Sequence, residues 1–240
     1  MLPEQRPLYE EETFRLEGLS DIDGFYHHFT IRPDMMDRKK IIRVKQVHSD
    51  KILVVDRKTF DLDLFRNSRI FNNGYDALIT NQDDIILEIR TADCLPILII
   101  DPDNRAIAAV HAGWRGSLLN LPVKVVMKMK EFFGSEEEEL IVGFGPSIGP
   151  CCYEVGDDVL EPVRERHPEW KDIIEERDKG KGMFDLEGLN RRQFLDLGIR
   201  KDRIFSVNIC TSCHPVRLPS YRRDGKVAGN IYSGIMMEMV

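Results

Sequence analysis

The sequence predicts a mixed α/β (α+β) fold, and three observations support that prediction. Short runs rich in β-branched residues recur along the chain with turn signals between them, which indicates strands joined by hairpins. A few longer segments place apolar residues at helical spacing and stop at glycines. No internal repeat or linker interrupts the 240 residues, so we predict one domain covering residues 1–240.

Most of the predicted strands lie in the first half of the chain. In order, we predict strands over 25–31, 41–49, 51–56, 75–80 and 85–92, with a loop over 57–74. The strand over 41–49 presents His48 near its end. The run LPILII (95–100) follows without polar alternation, which predicts a strand buried on both faces, and AIAAV (106–110) predicts its partner.

The second half mixes helices with strands. The segment LLNLPVKVVMKMKEFF predicts a helix that begins shortly after Gly116 and stops at Gly134. A further helix is predicted over 156–170, and another over 185–199 with Asp185 as N-cap and Gly198 as terminator. Strands are predicted over 140–145 and 204–210, an exposed charged excursion over 171–182, and a turn at Asp224-Gly225.

Cys94 in TADCLP and His111 in VHAGWRG flank the hairpin whose turn lies at DPDN. A two-residue loop at Pro102-Asp103 would place Cys94 and His111 directly opposite each other, with Cα atoms roughly 4.5–5.5 Å apart. A type I turn followed by a bulge would change that register. A thiolate and an imidazole this close can share a metal ion or form a nucleophile–base pair, and both interpretations stay open here.

His48 is the natural third ligand beside Cys94 and His111. Three protein ligands with an open fourth position are typical of catalytic zinc, which lowers the pKa of bound water towards ~7. Copper(II) could replace zinc on the same ligands, because it binds more tightly in the Irving–Williams order. Asp93 is our candidate for a general acid/base, or for a group that orients a ligand histidine.

Composition excludes several functional classes. The formal charge of −7 argues against nucleic acid as the main partner, and the longest apolar run is too short to span a membrane. The acidic start MLPEQRPLYEEE does not resemble a secretory or transit signal, so we expect a cytoplasmic protein. Five cysteines make a poor disulfide framework in a reducing compartment. We expect Cys151-Cys152 to be buried, and Cys210-x-x-Cys213 to be structural because no second CxxC accompanies it.

Two segments are candidates for binding an anionic substrate. The glycine-rich loop GFGPSIGPCCYEVG resembles a backbone nest, and we take Ser147 and Tyr153 from it as substrate-binding residues. Arg115 and Arg222 supply guanidinium groups for phosphate or carboxylate. We favour Arg222 over Arg223 because strand alternation would send the two side chains in opposite directions.

Taken together, QVHS, TADCLP, HAGWRG, GPSIGPCCYEVG and SYRRDG resemble the laccase-domain family, also described as the multicopper polyphenol oxidase or purine nucleoside phosphorylase family. The resemblance runs from about residue 25 to residue 230. The chain departs from the family pattern in four places. Ser49 stands where glycine is usual, and Asn230 stands where arginine is usual. The segment before SYRR is VRLP where aromatic residues are usual, and Cys213 is an addition.

The resemblance implies a four-layer α/β/β/α sandwich with mixed β-sheets, similar to the cytotoxic necrotizing factor-like cysteine hydrolases. It implies that His48, Cys94 and His111 bind zinc. It also implies phosphorolysis of adenosine, inosine, guanosine and methylthioadenosine, together with deamination of adenosine. The partners expected on this basis are a purine nucleoside and phosphate, with the chain a monomer or a weak homo-oligomer.

Three alternatives stay open. Laccase chemistry needs a blue-copper centre and a trinuclear cluster built from paired His-x-His motifs, and the chain has six histidines without one such pair. Copper-dependent polyphenol oxidation therefore stays open as a function only if copper binds at His48, Cys94 and His111. A metal-free hydrolase with Cys94 as nucleophile and His111 as base, acting on peptidoglycan precursors, is the second alternative. A non-catalytic metal-binding module is the third.

Overall fold

The structure is a computed structural model that describes residues 8–10, 13–32, 41–56, 70–71, 73–168, 171–214 and 218–239. The described residues form sixteen strands and six α-helices. The strands are β1 (Leu8–Glu10), β2 (Thr13–Arg15), β3 (Phe25–Thr30), β4 (Ile41–Val44), β5 (Ile52–Val55), β6 (Ile70–Phe71), β7 (Ala77–Thr80), β8 (Ile86–Thr91), β9 (Leu95–Asp101), β10 (Ala106–Ala112), β11 (Ile141–Phe144), β12 (Glu154–Gly156), β13 (Ile174–Arg177), β14 (Lys181–Phe184), β15 (Ile204–Ser206) and β16 (Ile231–Met237). The helices are α1 (Glu17–Ser20), α2 (Trp114–Leu118), α3 (Leu121–Phe133), α4 (Asp157–Arg166), α5 (Leu186–Leu197) and α6 (Tyr221–Asp224).

The strands form three sheets. One sheet has seven strands in the order β1-β2-β3-β16-β8-β4-β6, and a second has six in the order β15-β11-β9-β10-β7-β5. The third is small and has the order β12-β14-β13. Both large sheets are mixed, since β4 pairs in parallel with β8 and β6, and β5 with β7, whereas β9 and β10 are antiparallel. This is the predicted mixed α+β class.

Strands β9 and β10 separate two hydrophobic cores. Every residue of both strands is buried, as the unbroken apolar run LPILII predicted. Ile97 and Ile99 pack among the helices, whereas Leu98 and Ile100 pack against the seven-stranded sheet. Burying one such side chain contributes roughly 1.5–3 kcal/mol. These strands therefore anchor the residues at their ends, Cys94 and His111.

Helices α3 and α5 cover the outer face of the six-stranded sheet and end where the sequence predicts. Helix α3 buries Leu121, Val125 and Met129 and stops at Gly134, whose φ of 77° is the left-handed conformation that glycine adopts readily. Asp185 caps α5 by accepting a hydrogen bond from the Gly188 nitrogen at 2.8 Å. The sheets and this helical layer agree with the mixed α+β fold that the sequence predicts.

Several predicted elements differ in the structure. The strand over 41–49 ends at Val44, so His48 lies in a bend, and the strand over 204–210 ends at Ser206. The expected excursion over 171–182 contains the β13–β14 hairpin, whose turn uses the positive φ of Lys179 and Gly180. The SYRRDG segment forms the short helix α6. The predicted loop over 57–74 lies largely outside the described residues, although 70–71 form β6.

The described helices fall short of a membrane span. Such a span needs about 20 predominantly apolar residues in one helix. Across the described parts of the chain, no helix has the length and apolar character to cross a membrane.

Candidate metal centre and substrate cavity

Three candidate ligand side chains meet where β9 begins and β10 ends. The ligand atoms of His48, Cys94 and His111 all lie within 4.8 Å of one another. The two histidine rings meet edge to face, with centroids 4.8 Å apart and an angle of 65° between the ring planes. His111 is buried, Cys94 is partly buried and His48 is exposed, so the cluster opens to solvent on the His48 side.

Cys94 reaches His111 by a register that differs from the predicted one. His111 pairs with Pro96, because the turn has four residues, 102–105, instead of two. Asp101 accepts a hydrogen bond from the Asn104 nitrogen at 3.0 Å and shapes this longer turn. The partner of His111 is therefore shifted by two positions, from Cys94 to Pro96. Because side chains alternate between the two faces of a strand, a shift of two leaves each side chain on its predicted face. Cys94 therefore stays on the side of His111.

The position of His48 depends on Asp76, a fully buried residue just before β7. The Asp76 carboxylate accepts hydrogen bonds from the backbone nitrogens of Val47, His48 and Ser49 at 2.6–3.3 Å. The Ser49 hydroxyl donates to the same carboxylate at 2.8 Å. These bonds hold the bend in which His48 has a φ of 59°, an uncommon value for a residue other than glycine.

Asp76 also orients the second histidine. His111 Nδ1 donates to Asp76 Oδ1 at 2.8 Å, so Nε2 is the ring nitrogen left for the cluster. A carboxylate on the far nitrogen fixes the tautomer of a metal-binding histidine and raises its basicity. Burial raises the pKa of Asp76, but the bonds from His111 and Ser49 outweigh it and lower that pKa to about 2, so the group is ionised at neutral pH.

The electrostatics favour a thiolate at Cys94. Burial opposes its ionisation, but His111 and His48 outweigh that effect and lower the pKa of Cys94 to about 6. Burial also lowers the pKa of His111, yet Cys94 and Asp76 raise it to about 9. The two groups therefore favour a thiolate at Cys94 and a protonated ring at His111, and binding of a cation would displace the imidazolium proton.

The residues fit a single zinc ion. Zinc–nitrogen and zinc–sulfur bond lengths put ligand atoms roughly 3.3–3.6 Å apart in a tetrahedral site, a spacing that the cluster can reach by small side-chain rotations. Gly113 leaves room for this approach: a Cβ there would lie 2.9 Å from His48 Nδ1 and 3.0 Å from Cys94 Sγ. The thiolate, the two imidazoles and the Asp76 partner together form a donor set that suits zinc or copper.

An open cavity of about 620 Å³ lies over the cluster, within the size range of small-molecule sites. Its wall combines the three ligands with cationic, aromatic and amide side chains. The lining residues beyond the ligands are Lys45, Gln46, Arg90, Thr91, Ala92, Asp93, Trp114, Ile148, Tyr153, Tyr221, Arg222 and Asn230. The Gln46 side chain forms hydrogen bonds with both polar groups of the Arg90 backbone. It accepts one from the Arg90 nitrogen at 2.8 Å and donates one to the Arg90 carbonyl at 2.7 Å.

The family model described as "Multi-copper polyphenol oxidoreductase laccase" matches residues 30–238, most of the chain. The chain belongs to this laccase-domain family. A purine nucleoside phosphorylase of Bacteroides thetaiotaomicron is 31% identical over 235 residues, covering 98% of this chain and 81% of the relative. Adenosine deaminase RL5, from an unknown prokaryotic organism, is 31% identical over 201 residues, covering 83% and 76%.

Solved structures show the same fold. The crystal structure of YlmD from Geobacillus stearothermophilus superposes with a TM-score of 0.85 at 23% identity, covering 98% of this chain and 100% of that one. The Bacillus licheniformis protein YfiH superposes with a TM-score of 0.84 at 23% identity, covering 95% and 97%. These two likenesses support the mixed α+β laccase-domain fold.

In this laccase-domain protein, the substrate-binding residues predicted from sequence separate into two groups. Tyr153 and Arg222 line the cavity, and the Arg222 guanidinium lies 5.5 Å from the centre of the Tyr153 ring. Arg115 is exposed and stacks on Trp114 at 4.3 Å, but it does not line the cavity. Ser147 is buried and bridges to Cys210 on the far side of the loop, facing a different cavity.

Asp93 lines the cavity but does not orient a histidine. Its carboxylate accepts from the Thr211 hydroxyl at 2.6 Å and from the Arg222 nitrogen at 2.6 Å. It therefore ties the loop beside Cys94 to the start of helix α6. The orienting role that sequence reasoning allowed for Asp93 is filled in the structure by Asp76.

Several residues of the site were not found from the sequence. Asp76 lies in GYDALIT, where an acidic residue directly before an apolar strand was a usable signal, because a carboxylate at a strand end often accepts backbone hydrogen bonds. Lys45 and Arg90 line the cavity without belonging to any motif, and Tyr221 lies in SYRRDG but was not singled out there. Only the packing of their strands and helix places them beside the metal ligands.

Proposed function

We propose that this laccase-domain protein is a zinc-dependent purine nucleoside phosphorylase with adenosine deaminase activity. One observation carries the proposal: a single cavity contains the His48–Cys94–His111 cluster together with several cations and aromatic rings. The relatives named purine nucleoside phosphorylase and adenosine deaminase support the substrate class. Phosphate, ribose and purine need cationic, polar and aromatic partners respectively.

Phosphate binding is assigned to the cavity cations. Lys45, Arg90 and Arg222 line the cavity, whereas Arg115 does not. Arg222 donates one Nη1 bond to the Glu154 carbonyl at 2.8 Å, which fixes the guanidinium and leaves its other N–H groups for an anion. Guanidinium groups bind phosphate oxygens in a bidentate manner, and this geometry would hold the attacking oxygen towards the ribose.

The purine is assigned to the aromatic side chains of the cavity. Trp114 and Tyr221 offer ring faces at the wall, and Tyr221 is 59% exposed, so it is free to cover a flat base. Burial, followed by the negative charge of Cys94, raises the pKa of Tyr153. Its phenol therefore stays protonated at neutral pH and can donate to a ring nitrogen of the base.

Asp93 is proposed as the group that exchanges a proton with the substrate. In phosphorolysis a phosphate oxygen bonds to C1′ of the ribose while the C1′–N9 bond breaks, and the departing purine takes up a proton. In deamination water adds at C6 of adenosine and ammonia leaves. When bound, zinc supplies Lewis acidity and lowers the pKa of water at this end of the cavity. Asp93 borders Cys94, where such protons must move.

The test is a product assay on protein of defined metal content. Adenosine with phosphate should yield adenine and ribose 1-phosphate, and adenosine alone should yield inosine. Inosine, guanosine and methylthioadenosine complete the substrate screen. His48→Ala should abolish both reactions, whereas His167→Ala, which changes a histidine outside the cavity wall, should leave them intact. Zinc-loaded wild type without either product would refute the proposal.

A metal-independent cysteine hydrolase is the second candidate, and the thiolate–imidazolium state of Cys94 and His111 favours it. Its Cys94 thiolate would attack the carbonyl carbon of an amide or ester, His111 would protonate the departing amine or alcohol, and water would then hydrolyse the thioester. Zinc removal distinguishes the two functions. Hydrolysis of peptidoglycan-type amides by a cysteine hydrolase would persist in the metal-free protein and would be lost when iodoacetamide alkylates Cys94. Nucleoside turnover that requires added zinc would exclude this candidate.

A further inference from the structure

Four cysteines outside the cavity wall come together in the structure. Cys151 and Cys152 follow the glycine-rich loop, whereas Cys210 and Cys213 follow β15, some 60 residues later in the chain. All four sulfur atoms lie within 4.8 Å of one another, and the Cys151 and Cys213 sulfurs are 3.6 Å apart. The expectation that Cys151 is buried is wrong, whereas the expectation that Cys210-x-x-Cys213 is structural stays a prediction. Cys151 is exposed. Cys151 and Cys152 supply the second pair of thiols that the sequence around Cys210-x-x-Cys213 lacks.

The sulfur separations match one tetrahedral ion. A disulfide would need two sulfurs at about 2.05 Å, well short of the observed 3.6 Å. Four thiolates on one zinc ion, each at about 2.3 Å, lie roughly 3.8 Å from one another. An iron–sulfur cluster distributes its cysteines over several irons and holds them further apart than one ion does. The cluster therefore has the dimensions of a mononuclear four-sulfur site.

Backbone hydrogen bonds pre-organise this cluster. The Gly149 nitrogen donates to Cys210 Sγ at 3.3 Å, and the Cys152 nitrogen donates to the Gly149 carbonyl at 3.0 Å, which closes the first loop. The His214 nitrogen donates to the Cys210 carbonyl at 3.0 Å and closes the second loop. An N–H group directed at sulfur stabilises a thiolate, the form that binds metal.

The two loops are also joined to each other. Thr211 donates its backbone nitrogen to the Ser147 carbonyl at 2.9 Å, and Ser147 forms an isolated parallel bridge with Cys210. Gly149 makes the close approach possible, because a Cβ there would lie 3.3 Å from Cys210 Cβ and 3.4 Å from Cys151 Sγ. The sulfurs are held together by the fold itself, not by one loop alone.

We propose that Cys151, Cys152, Cys210 and Cys213 bind one Zn²⁺ as a closed structural site, separate from the His48–Cys94–His111 cluster. Four thiolates this close repel one another unless a cation neutralises them, and a set of four sulfurs leaves no open position for substrate. Zinc is the ion of tetrahedral four-sulfur sites that hold a single metal.

This zinc would restrain two loops that border the substrate cavity. The first loop connects Ile148 to Tyr153, both of which line the cavity. In the second loop, Thr211 donates its hydroxyl to Asp93 at 2.6 Å. Tying the loops together through zinc therefore limits the movement of Tyr153 and Asp93. Zinc binding that occurs only in the folded chain also adds its free energy to folding.

The experiment isolates the second site. The double variant Cys94→Ala/His111→Ala removes two of the three ligands of the first cluster. Purified with zinc and reductant, it should retain about one zinc per chain, and X-ray absorption at the zinc edge should show four sulfur neighbours at about 2.3 Å. Adding Cys213→Ser, at an exposed position, should remove that zinc and lower the unfolding temperature. Adding Ser212→Ala in the same turn is the matched control and should retain both.

Three results would overturn the proposal. The first is a double variant that retains no zinc although circular dichroism shows it folded. The second is a zinc ion with fewer than four sulfur neighbours. The third is a mass after alkylation of unreduced protein that reveals a disulfide among these cysteines. If the Cys213→Ser form does not fold, the sulfur count in the double variant decides the matter. The outcome does not depend on nucleoside turnover. The proposed function requires that turnover, whereas zinc binding by the four cysteines does not.

Discussion

Asp76 accepts a hydrogen bond from His111 Nδ1 at 2.8 Å, and the same carboxylate accepts one from the His48 backbone nitrogen at 3.0 Å. One buried side chain therefore positions both histidines of the metal cluster. It orients His111 through the ring and His48 through the bend of its loop. Metal-bound histidines commonly depend on such a partner for tautomer and orientation.

Asp76→Asn should weaken zinc binding about 10–100-fold, because the amide places no negative charge beside His111 and accepts fewer backbone hydrogen bonds around His48. A competition titration against a chromophoric chelator measures this affinity. Asp101→Asn is the matched control, since Asp101 is equally buried but lies at the opposite end of β9. Equal affinities in the wild type and Asp76→Asn would contradict the role of the shared carboxylate.

Gly113→Ala should prevent closure of the metal site. The added Cβ would lie 2.9 Å from His48 Nδ1 and 3.0 Å from Cys94 Sγ, distances at which those ligand atoms must move apart. We expect loss of zinc from the cluster, measured by elemental analysis, with the protein still folded. Gly116→Ala is the control in the same short helix, because its nearest contacts are at 3.4 Å and beyond. Full zinc occupancy in Gly113→Ala would show that the ligands tolerate the methyl group.

Arg222→Gln should raise the KM for phosphate about tenfold or more and leave the KM for the nucleoside nearly unchanged, because it removes a charge-assisted hydrogen bond to the anion. Initial rates at varied phosphate concentration measure the effect. Arg115→Gln provides the comparison, since Arg115 is stacked on Trp114 outside the cavity wall. A larger effect at Arg115 than at Arg222 would reverse our assignment of the phosphate site.

His27 and His28, buried in β3, should make the fold sensitive to mild acid. Burial, followed by the charge of Arg15, lowers the pKa of His27 to about 3 and that of His28 to about 4. In the unfolded chain these groups take up protons near pH 6.5, so the unfolded state binds more protons below that pH. The free energy of unfolding should therefore fall as the pH drops from about 6.5 towards 4, by about 1.4 kcal/mol per pH unit for each histidine.

Urea unfolding between pH 7.5 and 5 measures this slope. His27 Nε2 accepts a hydrogen bond from the Leu16 nitrogen at 2.9 Å, and a glutamine side chain can accept the same bond without titrating. His27→Gln should accordingly reduce the slope of the unfolding free energy against pH by the contribution of one histidine, about 1.4 kcal/mol per pH unit. A slope that matches the wild type would mean that other groups control the acid response.

Much of the fold followed from local patterns. The buried run LPILII, the glycine stop at residue 134 and the Asp185 cap were predictable because propensity, capping and burial act over a few residues. The exposed excursion over 171–182 was predicted but its hairpin was not, because the hairpin is formed by mostly exposed charged residues and alternation gave no signal. The Cys94–His111 proximity survived a wrong register because a shift of two keeps each side chain on its face.

By itself, the sequence determined the family, the mixed α+β class and the three candidate metal ligands, since the motifs around His48, Cys94 and His111 are local strings. Only the tertiary structure decided that Asp76 positions both histidines, that Arg222 lines the cavity and Arg115 does not, and that four cysteines meet in a second cluster. Asp76 is separated from His111 by 35 positions, and Cys151 from Cys213 by 62. Contacts across such distances arise from strand pairing and loop packing, which no short sequence window specifies.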